Sequence, residues 1–369
     1  MPSIVGPQAA ESLKNETLPA VGKDEGGAMS QLLDADGSPI LRKTRAASVL
    51  DVAALDPVEL GQQISQLSSS QWRWGVVEEV RIELLRRHLP SHCTFEFLVR
   101  TESGWHALIG KAYAEEAEGR DVHQATEVLW QAGFDRKAEV SVPRPIAYVP
   151  SLRLLLQEKV KGLVARDIFK YGDERLRAAA AERCAQWLAR FHARAPHSGP
   201  VTSVETMLAR SEGCWRLISR EGGALAAAQA GRLLERLRAA ASSLGSVALC
   251  RGHGDFRCEH VIFAGRRTVT FDWDLHDLAD PARDVARFIF MLQRQALHRL
   301  GDIRALDRSS EAFREAYLAA GGLPVAAHLP FYKAALCLRG AKKDVRTGRL
   351  KCRTWAEAML DEGLRILEQ

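Results

Sequence analysis

Two runs in the first third of the chain set the first limit on its fold. CTFEFLVRT (93–101) and WHALIGKAY (105–113) are rich in aromatic and β-branched residues and flank a Gly-containing turn. That pattern predicts a β-hairpin. After the Pro-rich VPRP, IAYVP (146–150) and RLLLQEKV (153–160) read as two further strands. SVLDVAALDPVELGQQISQL (48–67) and VVEEVRIELLRRHL (76–89) have helical spacing, the latter with Val77, Val80, Leu84 and Leu85 on one side, and a further helix is expected over about 120–132.

Beyond Lys161 and Gly162, which mark a boundary, the texture changes to mostly helical. DERLRAAAAERCAQWLARFHAR (173–194) and AQAGRLLERLRAAASSL (228–244) read as long amphipathic helices. Only 250–272 looks like β structure again, as HVIF, a turn at AGRR, and TVTFDW. Helices are then expected over roughly 281–299, 308–320, 328–343 and 354–368. A β-rich first half joined by a short linker to a helix-rich second half is an α+β layout of two lobes, which often holds a ligand between them. The expected domains are a flexible tail over 1–45, an N-lobe with preceding helices over 46–160, and a helical C-lobe over 161–369. The tail mixes Gly, Pro, Ser, Ala and charges without a sustained period, too little apolar surface to offset its ordering entropy.

Composition narrows the class. With 369 residues, 46% of them hydrophobic and 26% charged, the chain suits a folded protein of two lobes. A net charge of +5 fits a phosphate-bearing partner, and without basic runs it argues against nucleic acid. The seven cysteines form no CxxC pair, the opening residues do not read as a signal segment, and no apolar run nears the roughly 20 residues that cross a bilayer. A cytoplasmic protein with reduced thiols and no membrane partner is expected.

Four features bear on chemistry. Asp255 in HGD and Asp272 in FDWD lie 17 residues apart, so the predicted hairpin between them can hold both at neighbouring ends. Phosphoryl transfer uses such a pair, one carboxylate taking the proton of the attacking hydroxyl and the other holding Mg²⁺. Each aspartate alone also suits a turn or helix cap. Lys111, late in a hydrophobic strand, can reach nucleotide phosphates, or it is an edge-strand or snorkelling lysine. RLLLQEKVKG can offer backbone groups to an adenine, with Leu155 and Val160 near the ring, or it is an ordinary strand and linker. In DPARD, Asp280 before Pro281 is a good helix N-cap, and Asp284 falls near the first turn. Cys250, His253, Cys258 and His260 are all possible zinc ligands, but their spacing matches no ribbon or finger.

In this order and spacing, HGD with His260 five positions after Asp255, FDWD and DPARD resemble the aminoglycoside phosphotransferases and their choline-kinase-like relatives. These are small-molecule kinases with a two-lobed protein-kinase-like fold. The resemblance covers about 75–345, including the Lys111 strand, VPRPIAY…LLLQE, LARFHAR and FREAYLAAGG. It implies that Asp255 is the catalytic base, with His253 and Asp280 supporting its loop. It implies that Lys111 contacts phosphate and pairs with Glu127, with Glu115, Glu116 and Glu118 as nearby alternatives. Ser91, in the LPSHC turn, would lie over the phosphates, and Gln157, Glu158 and Val160 would hold the nucleotide. Asp272, Asp274 and His260 are the implied metal ligands. The implied cofactors are ATP or GTP and Mg²⁺, with Mn²⁺ as an alternative, and the implied partner is a small hydroxylated substrate meeting the C-terminal helices.

His260 is the departure, because the family usually has Asn there. An imidazole is a poor ligand for hard Mg²⁺ and a better one for Mn²⁺ or Zn²⁺. His260 binds metal, stands aside for Asp272 and Asp274, or marks a nucleotide-binding protein that has lost catalysis. The basic stretch 339–353 reads as a solvated helix face.

Overall fold

The computed structural model describes residues 61–66, 74–88, 91–348 and 350–368. The expected tail lies outside the described residues, as does most of the 48–67 stretch, of which 61–66 is helical.

The first half runs β1 (Val77–His88), β2 (His92–Thr101), β3 (Gly104–Tyr113), α1 (Glu116–Gln131), β4 (Val140–Ser141), β5 (Pro145–Val149) and β6 (Leu154–Glu158). Five of the strands form an antiparallel sheet in the order β1-β2-β3-β6-β5. The predicted hairpin is β2–β3, closed where Thr101 faces Gly104. Along β2, Cys93, Phe95, Phe97 and Val99 are buried and their neighbours are half-buried, the period-2 alternation of a strand with one face on a core. Leu108, Leu154 and Leu156 complete that core. Full burial of Phe95 or Phe97 stabilises the sheet by ~2–3 kcal/mol each. A side chain at Gly110 would collide with the Phe97 ring, so the residue before Lys111 has to be small.

β1 corrects an expectation, since its residues were read as a helix. They pair with β2 along the whole strand, with Val80 opposite Val99 and Ile82 opposite Phe97. An edge strand with Leu84 and Leu85 exposed carries many Glu and Arg side chains, and pairing overrides their helical propensity.

The second half contains β7 (Leu163–Val164), α2 (Ala165–Tyr171), α3 (Glu174–Arg194), β8 (Val201–Thr202), α4 (Val204–Glu221), α5 (Gly223–Ser243), β9 (Cys250–Gly252), β10 (Val261–Ala264), β11 (Arg267–Thr270), β12 (Asp277–Ala279), α6 (Ala282–Gln295), α7 (Asp307–Ala319), α8 (Leu329–Thr347) and α9 (Leu350–Ile366). Two small sheets, β4-β11-β10-β7 and β8-β12-β9, carry the loops that matter below. β4 pairs in parallel with β11, so a strand from before the 160/161 boundary joins the sheet of the second half. At Gly162 an added Cβ would lie 2.5 Å from the Phe263 carbonyl, which is why the linker needs glycine as it meets β10.

The core of this half is built on α3. Asp173 caps its start, accepting the Leu176 N–H at 2.8 Å. Trp187 stacks against Phe191 and Phe256 with ring centroids 5.0 and 5.5 Å apart, and Phe191 meets Trp273 at 5.3 Å. Phe256 and Trp273 each follow one of the sequence-predicted aspartates, so their burial anchors both acid-bearing loops to one helix. Among the described residues no helix is long and apolar enough to cross a membrane.

Candidate active site

The loop after β9 is shaped by its glycines. Gly254 has φ +79°, and a side chain there would run into the Leu275 carbonyl. A Cβ on Gly252 would lie 2.5 Å from Asp277 Oδ1. The turn is held by Asp284, whose carboxylate accepts the backbone N–H groups of His253 at 2.6 Å and Gly254 at 3.0 Å. Burial pushes the Asp284 carboxyl up, but the hydrogen bond to His192 and the neighbouring His192, Arg283 and His253 outweigh it and hold it at about 2.

The resemblance gave Asp280 to this loop. In the structure Asp280 instead accepts the Ala282 N–H at 2.8 Å and pairs with His328 at 2.5 Å, while Asp284 grips the turn. Asp280 caps the α6 start; the loop support comes one helical turn later. His253 is fully buried within the loop. Its Nε2 lies 3.0 Å from the Phe271 carbonyl and its Nδ1 accepts the Asp255 N–H at 3.3 Å. The ring therefore links the Asp255 backbone to the residue before Asp272.

Asp255 projects from this loop beneath two guanidinium groups. Arg287 Nε, from α6, donates to Oδ1 at 2.6 Å, and Arg257 Nε lies 3.2 Å from Oδ2. Burial raises the pKa of Asp255, yet the charges of Arg287, Arg257 and His260 prevail and hold it below the ordinary aspartate value.

Asp272 follows β11 with φ 72°, a left-handed conformation uncommon for a non-Gly residue. Trp273 behind it is buried, and Asp272 and Asp274 both meet Lys111. Lys111 Nζ donates to Asp272 Oδ1 at 2.7 Å and also to Asp274, and the Tyr113 hydroxyl donates to Asp274 Oδ1 at 2.9 Å. Lys111 lies on β3, between β2 and β6 in the sheet, so the edge-strand alternative is removed. Burial works against its ammonium, but the two carboxylates raise its pKa overall. Burial likewise raises Asp272, but Lys111 and His260 bring it well below the usual carboxylate range.

His260 lies beside this pair. Its Nδ1 is 3.0 Å from the Asp255 carbonyl, which fixes Nδ1 as the donor and leaves Nε2 with a lone pair. Nε2 accepts from the Arg257 guanidinium at 3.0–3.1 Å and lies 3.2 Å from Asp272 Oδ2. Burial first, then the Arg257 charge, lowers the imidazole to about 4 against the opposing pull of Asp272 and Asp255. Arg257 already donates to the Nε2 lone pair, so the ring would join a divalent cation's ligands only once that guanidinium moves away. Asp272 and Asp274 carry carboxylate oxygens of the kind Mg²⁺ takes, and both are held here by Lys111. Among the described residues no three His, Cys, Asp or Glu groups already converge as a metal site, and the Cys250, His253, Cys258 and His260 set does not form one.

A cavity of about 860 Å³ opens beside Lys111 and Asp272; Arg257 and His260 of the Asp255 loop reach it, while Asp255 itself is not part of its lining. Lys111, Asp272, Asp274 and His260 line it together with Gln157, Glu158 and Val160. Its apolar lining includes Leu85, Ile109, Leu155, Ile262, Phe271 and Met291. The Glu158 carboxylate is engaged elsewhere, meeting Arg136 at 2.8 Å and the Arg144 N–H at 3.1 Å.

Two sequence-predicted residues stand outside this arrangement. Glu127 is exposed and lies 3.5 Å from His123, whereas the carboxylates on Lys111 are Asp272 and Asp274. Glu118, in the first turn of α1, is the helix glutamate that feels the Lys111 charge; burial and Asp274 raise its pKa. Ser91 is exposed, and its carbonyl accepts the Ala114 N–H at 2.8 Å. Its neighbours 89 and 90 in the LPSHC turn lie outside the described residues. Arg257, Arg287 and Tyr113 were not singled out from sequence, and Asp284 was read only as falling near the first turn of its helix. Tyr113 had a usable signal, since residues two apart on a strand share a face with Lys111.

A two-lobed chain with a β-sheet first half, a helical second half and acid-bearing loops meeting a strand lysine has the protein-kinase-like fold. The family model described as "Phosphotransferase enzyme family" matches residues 83–334, more than half of the chain, and the chain belongs to that family. Among solved structures, a thermostable mutant of aminoglycoside phosphotransferase APH(4)-Ia in ternary complex with ADP and hygromycin B is similar at TM-score 0.55 and 16% identity, covering 80% of this chain and 96% of that one. Choline kinase from Streptococcus pneumoniae is similar at TM-score 0.54 and 14% identity, covering 84% and 99%. Choline kinase from Cryptosporidium parvum Iowa II is similar at TM-score 0.57 and 9% identity, covering 84% and 95%. At these identities the likeness is one of fold. No curated protein matches the chain.

Proposed function

We propose that this chain transfers the γ-phosphoryl group of ATP or GTP to a hydroxyl of a small molecule. The observation that carries the reading is the meeting of Lys111, from the N-lobe sheet, with Asp272 and Asp274, from the C-lobe, in a cavity that borders the Asp255 loop. The nucleotide occupies that cavity, with its base among Leu155, Val160 and Ile262 beside the 157–160 backbone and its phosphates at Lys111. Lys111 then leaves the two aspartates for the phosphate oxygens, where its charge stabilises the transferring group.

Asp272 and Asp274, with His260 Nε2 beside them, would hold a divalent cation, which supplies charge neutralisation at the phosphates. Asp255 orients the acceptor hydroxyl and takes its proton as the new O–P bond forms and the bond from the γ-phosphorus to its bridging oxygen breaks, releasing ADP or GDP. His253 and Asp284 hold the backbone that carries Asp255. The neighbour crystallised with ADP and hygromycin B supports nucleotide use together with a small-molecule site.

One observation favours a second reading, a nucleotide-binding protein without turnover: both oxygens of Asp255 are engaged by arginines. An assay of ADP or GDP release with Mg²⁺, run across a panel of hydroxylated metabolites, separates the two. Acceptor-dependent release supports the phosphotransferase. Nucleotide binding without release on any acceptor supports the second reading, and no binding of ATP or GTP sinks both.

A further inference from the structure

The basic stretch expected as a solvated helix face is exposed at Arg339, Lys343 and Arg346 and half-buried at Lys342, and it forms one wall of a cleft. A cavity of about 330 Å³ lies beside the Asp255 loop, between α6 and α8. Its lining includes Arg257, Arg287, Arg339, Lys342, Lys343 and Arg346, and no carboxylate among the described residues. A further arginine there, Arg294, is matched by Asp344 at 2.7 and 2.8 Å. Arg257 and Arg287 share a single carboxylate, that of Asp255. Arg339, Lys342, Lys343 and Arg346 have no carboxylate within 4.0 Å among the described residues.

This charge is continuous with the reaction centre. Arg257 and Lys343 also line the nucleotide cavity. Arg287, Arg339 and Lys342 also line a third cavity of about 550 Å³, which reaches Gly254 and Asp274. Like charges held together in a partly buried cleft repel, and an oxyanion among them is favoured by the focused field and by charge-assisted hydrogen bonds. The strain registers on Lys343: burial first, then Arg294, Arg257 and Arg287, lowers its pKa.

We infer that the acceptor carries an anionic group, a phosphate or carboxylate, beside the hydroxyl that is phosphorylated, and that Arg287, Arg339 and Lys342 bind it. The inference rests on the phosphotransferase reading and names the substrate class of that same site. It also accounts for the covered base. An oxyanion that engages Arg287 competes with Asp255 Oδ1 for the guanidinium, so binding of the correct acceptor exposes the carboxylate to the hydroxyl. A cationic acceptor, of the kind named for the choline kinases, meets repulsion at the same place.

The test measures ADP release by the full chain with ATP and Mg²⁺ in three arms. These are hydroxylated phosphates (glycerol 3-phosphate, glucose 6-phosphate), hydroxylated carboxylates (glycerate, gluconate), and cations (choline, hygromycin B). Each arm is repeated with Arg339→Glu/Lys342→Glu, or with Arg339→Gln/Lys342→Gln if the reversed pair does not fold. In parallel, inorganic phosphate is titrated into both proteins loaded with a non-hydrolysable ATP analogue.

The expected result is turnover in the phosphate or carboxylate arm, with kcat/KM at least ~10-fold lower in the variant, as for loss of a charge-assisted hydrogen bond. If every arm is silent, phosphate binding at least ~10-fold weaker in the variant supports the inference on the same grounds. Turnover confined to the cationic arm, or turnover and phosphate binding that the substitutions leave unchanged, overturns it. Failure of the wild-type chain to bind the analogue instead overturns the phosphotransferase reading, and this inference falls with it.

Discussion

Lys111 and Asp272 stand 161 positions apart in the chain and 2.7 Å apart in the fold. That contact, doubled by Asp274, ties the sheet of the N-lobe to the loop after β11. It places an ammonium where phosphates and a cation would compete for it and for the carboxylates.

Replacing this lysine should therefore act twice. Lys111→Met leaves Asp272 and Asp274 without their counter-charge, and breaking a largely buried pair costs about 3 kcal/mol. Phosphotransfer should fall at least ~100-fold through lost charge stabilisation. Urea unfolding and ADP release check the two effects separately. Stability and rate both near wild type would show that the contact matters to neither.

Gly254→Ala should be among the most disruptive single-methyl changes in the chain. It places a Cβ against the Leu275 carbonyl in a backbone with φ +79°. The strain and clash should cost about 3 kcal/mol or more. Thermal unfolding reads the loss, and a melting temperature within a degree of wild type would mean that the turn has room to spare.

The acid limb of stability should carry the mark of Asp284. Its folded pKa of about 2 lies below the ordinary 3.8, so its ionised form belongs to the fold. The stabilisation is complete above about pH 5 and is lost as pH falls through 4 toward 2. The shift corresponds to about 2 kcal/mol. Asp284→Asn should lose that stability at neutral pH and show a flatter decline between pH 5 and 2 in urea titrations. A variant with the wild-type slope would assign the acid sensitivity to other carboxylates.

His260→Asn tests metal choice. Neutral imidazole beside Asp272 favours Mn²⁺ over Mg²⁺ relative to an amide oxygen. The Mn²⁺/Mg²⁺ ratio of kcat/KM should be higher in the wild-type chain than in the variant. An equal ratio in both would place His260 outside the metal's ligands.

Much of this arrangement was legible in residue order, and the rest had physical reasons to be hidden. HGD, FDWD and DPARD mark loops whose local geometry is specified by their own glycines, acids and apolar anchors. Asp255 and Asp272 could be picked out for that reason, and Lys111 because a lysine late in a hydrophobic strand stands out from its neighbours. β1 was misread because Val77, Val80, Leu84 and Leu85 fall at helical spacing in a stretch rich in Glu and Arg; its pairing with β2, invisible in the local sequence, decides it. α4 was passed over, although Ser203 caps its start and Met207, Ser211, Cys214 and Ile218 follow at helical spacing on its buried side. Arg257 lies only two residues past Asp255, yet nothing in its spacing announces an ion pair. Arg287 and Arg339 reach the same cleft from two helices, and only packing brings them together. The Lys111–Glu127 pairing failed because α1 turns Glu127 to solvent beside His123.

The central claim is that Asp255 acts on the acceptor's proton, and Asp255→Asn tests it most directly. The substitution keeps the shape of the side chain while removing its charge and basicity. Initial rates of phosphorylated-acceptor formation and the affinity for a non-hydrolysable ATP analogue should be measured on the same preparation. The account predicts kcat at least ~100-fold lower, within the range of general-base catalysis, with analogue affinity within about twofold of wild type. A variant that binds the analogue and turns over acceptor at the wild-type rate would contradict it.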